Sequence, residues 1–379
     1  MSDWIQGPVD IGLAEARYDA GRLAKLADYY AGLIASGKVQ AAGFLMTRKG
    51  RVFAHQTAGR RVAPEIGGAF AGADALRPEH IKNIASITKI VTSTAIMQLV
   101  EDGVLWLEQP VKTILKEFDT SMHGGIQIKH LLTHTSGLPA DGGYFAEPYP
   151  IERWEECRKD GWLTKAILAG PLQSRPGETW SYSSVGFGVL AEIVSRVSGM
   201  HFNDYVAERV FKAIGMERTF MEVPKPLYGE VVLSAEWDPI ALEHSGDRVG
   251  MPSGGGGCYS TMRDLARLAQ CFLDAGAVDG KRLLGKKTAA EMVRNQTEGV
   301  GAFHWGKRLA SIKQGLGWEY FVDGTTVGPN TFQHEGWGWC SLFVDPEEDF
   351  VFVSFCPTPT EWSPEIMVNP RTIAFSGLL

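Results

Sequence analysis

Residues 83–103 read NIASITKIVTSTAIMQLVEDG. A serine and a lysine, Ser86 and Lys89, stand three apart at the mouth of an apolar helical run. Positions i and i+3 share a helix face, so the ammonium can reach the hydroxyl. The first turn of a helix carries unpaired N–H groups and partial positive charge, which favour an alkoxide or oxyanion. Serine is a useful nucleophile only when a neighbour takes its proton. A lysine at its ordinary pKa of about 10.4 does that poorly at neutral pH, unless burial or another cation lowers it. By itself the pattern is equally the polar first turn of a helix, with Asn83 as N-cap. No other serine in the chain has a lysine three residues on.

The 379 residues suffice for one large domain or two intertwined ones, at about 150 residues per domain. With 44% hydrophobic and 21% charged residues, a buried core is expected rather than disorder. The net charge of −7, without a basic block, argues against nucleic acid as a partner. The start, MSDWIQGPVDIG, has acids and a proline where a secretory signal needs a basic and then an apolar stretch. No apolar run approaches the roughly 18 residues of a membrane span. Five cysteines, odd in number and without metal spacing, fit reduced thiols in a cytoplasmic protein.

Apolar residues at helical spacing predict a helix over 14–36, closed by Gly37. QAAGFLMTRKGRVFAHQTAGR reads as a hairpin turning at TRKG. From about Pro64 the texture is helices and Gly/Pro-rich loops. Near Gly315 it returns to strands, in GLGWEYFV, NTFQHEG and WCSLFVDPEEDFVFVSF, with DPEED a turn. The tail from Pro364 reads as a short helix. Strands at both ends predict one sheet built from both termini. The division expected is 1–62 with 313–379 as a discontinuous α/β sheet domain, and 63–312 as a mostly helical domain. No internal repeat is seen.

Two further stretches carry chemistry. In RPGETWSYSSVGFGVLAEIVSRVSG, Tyr182 precedes an apolar-periodic helix. A phenol at a strand–helix junction can point into a cleft, and a neighbouring lysine favours its ionised form. In FQHEGWGWCSLFV, glycines flank Trp337. Such a strand lets a substrate approach its backbone and can offer an N–H to an oxyanion.

Taken in order, Ser86-Ile87-Thr88-Lys89, Tyr182-Ser183-Ser184 and His334-Glu335-Gly336 resemble the class C β-lactamase-like serine hydrolases. That superfamily includes D-alanyl-D-alanine carboxypeptidases, D-aminopeptidases and family VIII carboxylesterases, whose motifs are SxxK, YxN and KTG, HxG or WxG. IQIKHLLTHTSGLP and PSGGGGCYSTMRDLARLAQ are similar to its two scaffold stretches, and the resemblance spans roughly residues 20 to 375. It implies an α/β (α+β), β-lactamase/transpeptidase-like fold: an antiparallel sheet flanked by terminal helices, beside a mostly helical domain, with the site between. It implies Ser86 as acylating nucleophile, and Lys89 as its proton acceptor or the cation tuning Tyr182. Tyr182 becomes the general base and later acid, and the backbone N–H groups of Ser86 and Trp337 the oxyanion hole. Which of Lys89 and Tyr182 holds the proton belongs to the coupled pair.

Two positions depart from the penicillin-recognising pattern. Ser184 stands for asparagine and lacks a two-donor amide. His334 stands for lysine and is mostly neutral at pH 7, and Glu335 adds negative charge. Both weaken the grip on penicillins and D-Ala-D-Ala and favour a neutral acyl substrate, and the resemblance to family VIII esterases, which vary at these positions, points the same way. Ser184, His334, Gly336, Trp337, Tyr144 and Trp318 are the substrate-binding candidates. Trp305, Trp318, Tyr320, Trp337 and Trp339 gather around the third motif, half or more of them as core. Tyr144, Phe145 and Tyr149 lie in a loop able to lid the cleft.

Other motifs fail. His130 and His134 have zinc spacing but no glutamate after His130 and no third ligand. GGGGCYST and GKRLLGKK lack the GK[ST] of a phosphate loop, and no serine sits in GxSxG. The expected function is a cytoplasmic serine carboxylesterase acting on neutral, hydrophobic small-molecule esters without metal or organic cofactor. Its rivals are a β-lactamase or D-amino-acid peptidase of the same fold, and a non-catalytic relative. A homo-oligomer stays open.

Overall fold

The β-rich runs at the two ends of the chain meet in one antiparallel sheet of six strands. In the computed structural model, which describes residues 4–70, 74–144, 150–320 and 326–379, their order is Ile5–Gln6, Arg51–Gly59, Ala41–Arg48, Phe350–Phe355, Cys340–Asp345, Phe332–Gly336. The hairpin turns at Lys49 and Gly50, with φ of 51° and 72°, the left-handed pair that matches the twist of two antiparallel strands. Side chains alternate between faces. Phe44, Met46, Phe343 and Phe352 join the core under the helices Ala20–Ala35 and Pro364–Phe375, while Leu45, Leu342, Val351 and Val353 join the larger core of the helical region. Both faces are covered, so the strands Cys340–Asp345 and Phe350–Phe355 are buried throughout.

Two expectations need correction. The single helix over 14–36 is broken: Leu13–Ala16 ends at Arg17 in left-handed conformation (φ 51°), and Asp19 caps a new helix through the Arg22 N–H. GLGWEYFV forms no strand among the described residues. Glu319 alone bridges to Gln333 and Gln314, and Phe321 and Val322 lie outside those described.

The helix that follows Ser86, Thr88–Glu101, buries eleven of its fourteen residues, so it is enclosed all round rather than on one stripe. Beside it runs Ser184–Ser198, ended by Gly199 at φ 70°. The third-motif strand approaches the start of the first helix so closely that a Cβ on Gly336 would overlap the Ile84 carbonyl. The Cys340 thiol reaches that same carbonyl at 3.4 Å. Glycine at 336 therefore sets the distance between sheet and helical region. Among the described residues no helix is long and apolar enough to cross a membrane.

Candidate active site

Ser86 sits in a single 3₁₀ turn, Ala85–Ile87, that runs into the helix Thr88–Glu101. Ala85 has φ 43°, a left-handed conformation costly for a residue with a Cβ. The Asn83 side chain holds it there, accepting the Ala85 N–H at 2.7 Å.

Lys89 is fully buried. Its Nζ donates to Ser86 Oγ at 3.0 Å, Ser184 Oγ at 3.1 Å and the Gly255 carbonyl at 2.7 Å, so all three donors are used. Burial pushes its pKa down to about 8, against the opposing pull of the Asp141 and Glu319 carboxylates. Ser184 donates its hydroxyl to Asp141 Oδ2 at 2.6 Å and its N–H to Oδ1 at 2.8 Å. A carboxylate, a hydroxyl and an ammonium thus stand in line behind Ser86.

Tyr182 is buried, and the pKa that burial raises is lowered by the nearby Ser86 hydroxyl. Lys89 Nζ lies 4.7 Å from its ring centre. The ring is stacked on His134 at 4.4 Å and packs against Tyr144 at 4.8 Å. His134 Nδ1 accepts the Ser183 N–H, and His130 Nδ1 that of Gln127. Burial, then the charges of Glu319 and Asp141, hold the Tyr182 phenol well above its ordinary value, so it stays protonated at neutral pH.

The structure therefore brings Ser86, Lys89, Tyr182 and Ser184 together, with Gly336 pressed against Ile84 beside them. The backbone of Trp337 follows directly on that contact, and its indole is 43% exposed, 5.2 Å from Trp339. Tyr144 lines a cavity of about 580 Å³ with Trp180, Trp305, Glu319 and Glu335. Phe145 and Tyr149 lie outside the described residues.

Two substrate-binding expectations do not hold. Trp318 is fully buried, edge-on to Phe272 and Phe332 at 5.0 and 4.8 Å, and belongs to the core. An apolar ring on a segment wedged between helix and sheet is buried there rather than offered to solvent. His334 is 1% exposed and lies behind Tyr182, their rings 6.4 Å apart. Its Nδ1 faces the Glu335 carbonyl at 2.8 Å, so Nδ1 carries the proton and Nε2 is bare. Burial lowers its pKa to about 3, and no cation forms there at neutral pH.

Sequence reasoning missed three groups: Asp141, the Gly255 carbonyl and Glu319. Glu319 accepts from Gln333 Nε2 at 3.1 Å and lies 3.7 Å from His334 Nε2. Burial raises its pKa to about 7, opposed by Lys89 and the Gln333 hydrogen bond. A lone acid inside the apolar stretch GLGWEYFV was the available signal, since charges are seldom buried without a partner.

Known proteins share this arrangement's framework. A crystallised family VIII carboxylesterase superposes with a TM-score of 0.74 at 18% identity, covering 98% of this chain and all of that one (100%). EstCE1, described as a hydrolase with promiscuous acyltransferase activity, gives 0.71 at 20% identity over 94% of this chain and 98% of its own. A putative D-alanyl-D-alanine carboxypeptidase of Salmonella agona is 24% identical over 333 residues, 78% of this chain and 73% of that protein. The Beta-lactamase family model matches residues 26–366, and the chain belongs to that family of serine hydrolases.

Proposed function

We propose that this protein hydrolyses neutral, hydrophobic carboxylic esters through an acyl-enzyme on Ser86. The observation that carries the reading is the 3.0 Å contact between Ser86 Oγ and a lysine amine whose pKa is brought down to about 8. At pH 7 about a tenth of such an amine is free to take a proton.

Lys89 in that form takes the Ser86 proton as Oγ bonds to the ester carbon. The carbonyl oxygen becomes an oxyanion held by the N–H groups of Ser86 and Trp337. The carbon–alkoxide bond then breaks. Tyr182 passes a proton to the departing alcohol and recovers one from the Lys89 ammonium. Water repeats the sequence on the acyl-enzyme, releasing the acid and restoring Ser86.

Ester rather than β-lactam chemistry is supported by charge. His334 is neutral, so the third-motif position that holds a lysine in penicillin-recognising relatives offers a substrate carboxylate no cation. Ser184 is committed to Asp141 and Lys89 rather than free to hold a side-chain amide. The carboxypeptidase relatives keep peptide hydrolysis as the second reading. Turnover of short-chain p-nitrophenyl esters, set against nitrocefin, separates the two. Ser86→Ala is expected to leave at most about a thousandth of the ester rate. Unchanged turnover in that variant, or no fluorophosphonate adduct on the Ser86 peptide, refutes the mechanism.

A further inference from the structure

A second, smaller cavity of about 110 Å³ adjoins the nucleophile turn, distinct from the one lined by Glu319 and Glu335. Ala85, Trp337 and Gly338 form one side of it, and Lys82, Tyr259 and Ser234 another. Lys82 stands three residues before Ala85 of the strained Ala85–Ser86 turn, on a short strand flanked by Val231–Val232 and Tyr259–Ser260.

Lys82 is 4% exposed, and its Nζ donates to the Asn83 carbonyl at 3.1 Å. Among the described residues it makes no ion pair within 4.0 Å. The thiols Cys340 and Cys356 feel its charge, but burial holds them at about 11 and 12, so neither is an anion at neutral pH. Asp238 also lines the cavity. Its Oδ2 is taken by the N–H groups of Ser234 and Ala235 and the Ser234 hydroxyl, at 2.6, 3.0 and 3.1 Å. The ammonium thus keeps two donors without a hydrogen-bond partner, and the Asp238 carboxylate, which lines the same cavity, stays beyond 4.0 Å of it, so an occupant with its own oxygens is favoured there.

The space in front of it is built rather than incidental. Gly338 has φ 76°, and a Cβ there would stand 3.3 Å from Lys82 Nζ and 3.6 Å from Ser234 Oγ. Tyr259 adds a donor. Asn83 Oδ1 accepts the Ala85 N–H, so Asn83 meets the Tyr259 hydroxyl with its amide N–H, and the phenol proton is left for an occupant. The volume holds several waters, or a carboxylate with a few carbons.

We propose that this cavity is a carboxylate subsite, in which the Lys82 ammonium and the Tyr259 phenol hold a small organic carboxylate beside Ser86. The occupant is either the far end of an acid-tipped acyl chain, which extends the substrates beyond neutral esters, or the acid released by hydrolysis. Only that link to turnover rests on the esterase reading; binding itself does not.

The test is a ligand-observed NMR titration of Ser86→Ala protein with acetate and with acetamide, its uncharged counterpart. Saturable acetate binding is expected, with acetamide much weaker. Lys82→Met should weaken acetate about tenfold or more, and Tyr259→Phe a few-fold. Equal binding of acetate and acetamide, or undiminished binding in Lys82→Met, overturns the proposal. Should Lys82→Met fail to fold, the acetate–acetamide pair and Tyr259→Phe decide it. On the active enzyme, a kcat/KM for monoethyl succinate above that for ethyl butyrate, lost in Tyr259→Phe, assigns the carboxylate to the acyl chain. Equal values with competitive inhibition by acetate assign it to the product. Acetate that binds without inhibiting overturns the placement beside Ser86.

Discussion

Asp141→Asn tests the proposed base most sharply. The carboxylate reaches Lys89 through one hydroxyl, with contacts of 2.6 and 3.1 Å, and its charge raises the lysine's pKa. Taking the two charges as about 5 Å apart, an effective dielectric of about 20 gives roughly 3 kcal/mol, or about two pKa units as an upper value. Asparagine keeps an acceptor for the Ser184 hydroxyl and removes the charge. If neutral Lys89 takes the serine proton, kcat/KM in the wild type rises with pH through about 8. In Asp141→Asn that rise should move down by about one to two pH units. The assay is kcat/KM for a p-nitrophenyl ester over the neutral to alkaline range, each rate corrected for spontaneous hydrolysis. A base formed by ionised Tyr182 would show no inflection near 8, because its phenol is held well above its ordinary value. An inflection that stays put, or moves up, in Asp141→Asn refutes the argument.

Gly336→Ala forces a methyl onto the Ile84 carbonyl, so a loss of roughly 1–3 kcal/mol in urea unfolding and a steep fall in ester turnover are expected together. Trp318→Ala empties a core position: stability should fall by about 3–5 kcal/mol with KM little changed, whereas a raised KM at unchanged stability would return Trp318 to the substrate pocket. Glu319 has a folded-state pKa raised to about 7, so its neutral form suits the fold and stability is lost as pH rises from the carboxylate's usual 4.5 through 7. Glu319→Gln should remove that slope, worth at most about 3 kcal/mol, in unfolding midpoints measured across the same window.

The chain's own order of residues determined a great deal. β-rich runs at both termini were enough to predict a shared sheet, because short apolar strands need partners that bury both their faces and pair their backbones. Ser86, Lys89 and Tyr182 were legible because each belongs to a local pattern whose chemistry follows from spacing or from a family motif. The broken first helix was not legible, since its interruption at Arg17 is a backbone conformation without a composition signal. Neither was the fate of Trp318 and His334. An aromatic or imidazole is written the same way whether it faces a cleft or the core, and burial is decided by which segments pack over it. Only the tertiary structure could place Asp141, Gly255 and Glu319 around Lys89, because their charges and dipoles act through space across residues far apart in the chain. The lysine's lowered pKa comes from that enclosure, since removal from water, not the identity of its neighbours in sequence, is its largest cause.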